Sequence, residues 1–133
     1  ACRVQDILTG LAYLDQHLRV GKYHLVGQGQ AGIWSIFARA LAGDIERTAV
    51  DWARLDLSDD RTWSGELFTP GIRALGDVRT ALALCAPGHL LAYGAGRRFP
   101  EQFVRKMYPA MDIRSNRASS TVLVEWIMAD RPD

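Results

Sequence analysis

Cysteine is scarce in this sequence: Cys2 and Cys85 stand alone, far apart and without metal-ligand spacing. No disulfide framework or zinc site is therefore expected, and Cys85 is expected to be buried as a small apolar residue. Long apolar runs are missing as well. Nothing approaches 18 consecutive apolar residues, and the N-terminus has no charged stretch followed by an apolar one. Neither a membrane span nor a signal peptide is expected in the sequence as given, and the compartment stays open. Ala1 stands where a methionine would, nearly inside a helical pattern, which fits a processed product or a piece of a longer chain. Neither sign of charge dominates: 16 Lys and Arg are mixed with 15 Asp and Glu along the whole chain. Without a basic stripe to follow phosphates, nucleic acid is not an expected partner.

What is present is the composition of an ordinary soluble globular protein, 48% hydrophobic and 23% charged, which argues against disorder and fibrous repeats. At 133 residues the chain is long enough to bury about two thirds of its unfolded surface, so residues 1–133 are expected to form one domain. Val4, Ile7, Leu8, Leu11, Leu14 and Leu18 recur at helical spacing before Gly21, which predicts an amphipathic first helix. Tyr23 to Val26 reads as a short buried strand that runs into Gly27-Gln28-Gly29-Gln30-Ala31-Gly32, and Ile33 to Leu41 as a helix ending at Gly43. Ile45 to Asp51 is a second strand, His89 to Tyr93 a third, and Met111 to Arg114 a short fourth. Between them Asp77 is expected to cap one helix, Pro100 to open another, and Ser119 to cap the last, which stops before Pro132. Strand-helix-strand alternation with short connections implies parallel pairing through right-handed crossovers. The expected fold is α/β: a partial doubly wound, mainly parallel sheet of three to four strands with flanking helices. From Trp52 to Gly76 the pattern is irregular, as in an ordered excursion.

The glycine turn admits two chemistries. One is a nucleophile elbow, small-x-nucleophile-x-small, in which small flanking residues allow a strained turn and backbone N–H groups at the helix start form an oxyanion hole. Gly29 holds the nucleophile position and has no side chain with which to attack. The other is a dinucleotide fingerprint: Gly27, Gly29 and Gly32 satisfy G-x-G-x-x-G directly after a strand, and Asp51 ends the next strand where an acidic ribose ligand belongs. Against it, a full helix precedes the first strand, and no compact β-α unit follows Asp51. The plain alternative to both is that the glycines only let strand and helix pack closely.

Val4-Gln5-Asp6-Ile7, Leu25 to Gly32, Pro70-Gly71, Gly76 to Ala81 and Ala86-Pro87 before His89-Leu90-Leu91 together resemble the C-terminal half of acetyl xylan esterase-like and prolyl-oligopeptidase-like α/β-hydrolases. The likeness implies a hydrolase half in which the serine falls on Gly29, the acid near Gly94-Ala95-Gly96-Arg97, and the histidine among Ser115-Asn116-Arg117. All three positions read as vacant. The likeness leaves Gln30 as a backbone oxyanion donor, a small ester or carbohydrate as the ligand, and no resident cofactor. It also implies an N-terminal half or a second copy to cover the sheet.

Other residues fit bland roles better. His17, His24 and His89 lie on separate elements with no expected convergence. Ser35 lies one helical turn beyond the elbow; it is the alternative nucleophile if the chain is an unconventional ester hydrolase, but a helical hydroxyl more often bonds back to a carbonyl. Asp56, Asp59 and Asp60 lack the spacing and glycine of a calcium loop, so a solvated acidic loop is expected and no metal site. Trp34, Trp52, Trp63 and Trp126 are expected in core or loop packing.

Overall fold

Apolar residues at successive strand positions point to opposite faces of a sheet, and here each face meets its own helices. In the computed structural model, which describes residues 2–18, 21–52, 55–56, 58–65, 67–68, 70–109 and 111–129, four strands form one all-parallel sheet in the order β1-β2-β3-β4. They are β1 (Tyr23–Gly27), β2 (Ile45–Asp51), β3 (His89–Tyr93) and β4 (Asp112–Ile113). The helices are α1 (Cys2–Leu18), α2 (Ala31–Leu41), α3 (Asp60–Ser64), α4 (Asp77–Leu84), α5 (Glu101–Met107) and α6 (Ser120–Met128). The expected α/β architecture with parallel pairing is what the chain adopts.

In the register, Ala49 lies opposite Leu91 and Val50 opposite Ala92. Val50, Leu90 and Ala92 pack with Ile33 and Ile36 of α2, Val78 and Leu82 of α4, and Val104 of α5. Ala49, Leu91 and Tyr93 pack on the other face against Leu123 and Trp126 of α6. The two central strands are thus covered on both sides, as parallel strands require. By contrast β1 alternates half-buried and exposed positions, and α1, which packs on α2, buries none of its residues.

Several local expectations shift by a residue. Asp77 is the first residue of α4 rather than its cap; Gly76, with φ 88°, takes the cap position, and the Asp77 carboxylate accepts the Arg79 N–H at 3.0 Å from inside the first turn. Pro100 precedes α5 at the cap position instead of opening it. Ser119 caps α6 as expected, accepting the Val122 N–H at 3.3 Å. The irregular stretch 52–76 contains the short helix α3, capped by Asp59, which accepts the Arg61 N–H at 2.9 Å. The last helix stops before Pro132 as expected, α6 ending at Met128 with Ala129 extended; Pro132 itself lies outside the described residues. None of the described helices is long and apolar enough to cross a membrane.

Candidate functional site

The turn between β1 and α2 is built by glycines that differ in what they permit. A Cβ on Gly27 would stand 2.6 Å from the Ala31 carbonyl oxygen, the Gly32 Cα and the Ser35 Oγ. On Gly32 it would stand 2.5 Å from the carbonyl oxygen of Asp51 and 2.9 Å from its nitrogen. These two positions let α2 lie directly against the ends of β1 and β2, which only glycine allows at such approach. Gly29 is different: its φ is +56° and a Cβ there would meet nothing within 4 Å. It is the left-handed residue at the tip of the turn, facing open space.

Tight i to i−3 bonds close the turn, from Ala31 N–H to the Gln28 carbonyl at 3.1 Å, Gly32 to Gly29 at 3.1 Å and Ile33 to Gln30 at 3.2 Å. Asp51, at the tip of β2, accepts the Gly29 N–H on Oδ2 at 3.1 Å. From beneath, the Tyr93 hydroxyl donates to the Gly27 carbonyl at 3.3 Å. Burial, with the nearby Asp51 charge, raises the Tyr93 phenol above its ordinary range, so this donor stays protonated. Of the amides at the turn, Gln30 N–H has no partner among the described residues. A cavity of about 200 Å³ opens over the turn, lined by Gly29, Gln30, Asp51, Leu55, Thr62 and Leu67 among others.

A second cleft, about 330 Å³, adjoins it at the ends of β2 and β3 and is lined by Trp52, Asp56, Gly94, Arg97, Arg98 and Phe99. No carboxylate lies on the Gly94 to Arg98 loop itself, but Asp56 comes in from the segment after β2. Its side chain is only 18% exposed and lies 2.7 Å from Arg98 Nη1. It also accepts the Ser58 hydroxyl at 2.6 Å and the Ser58 N–H at 3.0 Å. Those bonds, then the charge of Arg98, hold its carboxyl below the ordinary aspartate range. The expectation of a uniformly solvated acidic loop is therefore corrected at Asp56, whereas Asp60 is 92% exposed. Nothing in the spacing signalled this, because the partner lies 42 residues downstream and meets it only through the sheet.

The structure brings Gly27, Gly29, Gln30, Gly32 and Asp51 together. It does not bring Ser35 to the cavity: Ser35 is 2% exposed, and its hydroxyl lies under the turn against Gly27. No imidazole reaches the cavity among the described residues. His17 stacks on Tyr13 of α1, with ring centroids 4.0 Å apart, His24 lies 3.9 Å from Glu46, and His89 opens β3 at the end of the sheet away from the turn. Ser115, Asn116 and Arg117 are exposed, and the Asn116 carbonyl accepts the Gly94 N–H at 2.9 Å, which joins the loops after β3 and β4. Trp52, Trp63 and Trp126 are core residues, and Arg3 lies over the Trp34 ring at 5.7 Å. No group of three His, Cys, Asp or Glu suited to a metal occurs among the described residues.

No family model matches the chain, and no curated protein matches it. Among solved structures the chain is similar to an α/β hydrolase enzyme from the metagenome of sediments from the lagoon of Mar Chica, Morocco, at 12% identity and a TM-score of 0.48. The alignment covers 93% of this chain and 69% of that one.

Proposed function

We propose that this chain is an α/β-hydrolase-like domain, nearest in kind to the acetyl xylan esterase-like and prolyl-oligopeptidase-like branches, whose elbow has lost its nucleophile and which acts by binding. One observation carries the reading: a left-handed glycine, Gly29, at the tip of a strand-to-helix turn, with open space where a nucleophile's side chain would project. An elbow is built to hold a reactive side chain over backbone donors. With glycine there, the Gln30 N–H, without a partner among the described residues, and the cavity above it remain as a receptor for a carbonyl-like acceptor on a small ester or carbohydrate. A fluorophosphonate probe, which labels activated serines, tests this. Intact-mass measurement should show no adduct on the chain; an adduct on any serine would overturn the reading.

Two other functions have their own supports and tests. The turn's glycines with Asp51 beside Gly29 suit a dinucleotide site, with the pyrophosphate on the turn and the ribose on the carboxylate. Titration calorimetry with NAD and NADP removes that reading if millimolar ligand gives no heat. An unconventional ester hydrolase would use Ser35, and its turnover would vanish in Ser35→Ala. For assembly, we propose that a second copy or a complementary chain covers β1, whose Val26 is 38% exposed.

A further inference from the structure

Far from the glycine turn, at the carbonyl ends of α2 and α4, a cleft of about 350 Å³ is lined by Arg39, Leu41, Leu84, Cys85, Pro87 and Gly88 among others. Arg39 is half-buried, and its Nη1 is shielded from solvent without a hydrogen-bond partner among the described residues. The other arginine held inside the fold, Arg47, donates from Nη1 to the carbonyls of Trp126 and Ile127, with only its Nε shielded and without a partner among the described residues. Among the described residues Arg39 has neither carbonyl nor carboxylate, although a shielded cation ordinarily requires one.

The surroundings are fitted to this guanidinium. A Cβ on Gly88 would fall on Arg39 Nη2, so the glycine gives the head group its seat. The Tyr108 hydroxyl, on a residue 2% exposed, is also without a partner among the described residues. Burial pushes the Tyr108 phenol up to about 12, against the opposing pull of the Arg39 charge. Cys85 behaves alike, pushed up to about 12 by burial and drawn back by Arg39. Both groups therefore stay neutral and supply no counter-charge. The helix carbonyl ends favour a cation here, yet among the described residues none of them bonds to the guanidinium. Leu41 and Leu84 line the cleft and remain 70% and 62% exposed.

We propose that this cleft binds a small amphipathic carboxylate, its head group forked onto Arg39 and its aliphatic body lying between Leu41 and Leu84. The planar guanidinium matches a carboxylate in two parallel hydrogen bonds, and the exposed leucines offer the tail an apolar bed. The proposal stands apart from the elbow and does not depend on it.

Calorimetric titration of octanoate, kept below its micellar concentration, tests the proposal on the whole chain. Binding should weaken at least tenfold in Arg39→Gln. It should weaken similarly in Gly88→Ala, where the added methyl displaces only the flexible end of Arg39 and leaves the circular dichroism unchanged. On the unmodified chain, 1-octanol should bind at least tenfold more weakly than octanoate, a comparison that requires no variant to fold. Absence of octanoate binding, equal binding of octanol, or undiminished binding in a folded Arg39→Gln would each overturn the proposal.

Discussion

At the glycine turn a single methyl group has opposite meanings at neighbouring residues. In Gly32→Ala the new Cβ meets the Asp51 backbone at 2.5 Å, and backbone cannot swing aside as a side chain tip can. The loss of stability should reach the upper range of overpacking penalties, about 3 kcal/mol. Gly29→Ala meets nothing and should cost only the left-handed penalty, about 1 kcal/mol. Urea denaturation of both variants checks this, and equal costs would contradict it. Asp56 gives a prediction in pH. Its folded pKa lies below the ordinary value, through Ser58 first and then Arg98. Its contribution is therefore complete above the unfolded pKa and is lost as pH falls through the folded one. Stability of Asp56→Asn, followed from pH 6 to pH 3, should fall less steeply than that of the unmodified chain. Parallel curves would show that the carboxylate contributes no such linkage.

Among the elements, apolar patterning made α1, α2, β2 and β3 legible, although the apolar spacing of α1 did not foretell that it buries none of its residues. The caps were legible to within a residue, since Ser119 and Asp77 carry the short oxygen side chains that bond to helix-start amides. Removing the α6 cap in Ser119→Ala should cost about 1 kcal/mol, read by thermal unfolding; no loss would mean that the tertiary contacts of Trp126 and Leu123 outweigh the cap. The glycine turn, with Gly29 at its tip, and Asp51 were visible as a motif, whereas the left-handed backbone of Gly29 was not. Three features had no sequence signal because their partners are far apart in the chain: Asp56 with Arg98, Tyr93 beneath Gly27, and Arg47, a charged residue inside β2 that reaches the end of α6. Arg47→Met should release the two carbonyls it holds and speed hydrogen exchange across α6 more than across α4. Uniform change in both helices would contradict that local role.

For the molecule as a whole, the sheet is covered on both faces at β2 and β3, whereas β1 and α1 bury little. Exposed strand edges and apolar helix faces favour association, and Tyr13 and Leu18 of α1 are 59% and 61% exposed. Light scattering at micromolar concentration should therefore give a mass above the 14.8 kDa of one chain; a clean monomer would count against a covered β1 edge. The proposed loss of a nucleophile rests on Gly29, the left-handed residue at the tip of the strand-to-helix turn. It is tested most directly by the rate of p-nitrophenyl acetate hydrolysis by highly purified chain, measured beside Ser35→Ala. The expected result is no turnover above buffer in either protein. Turnover in the unmodified chain that disappears in a folded Ser35→Ala would show a working esterase and contradict the account.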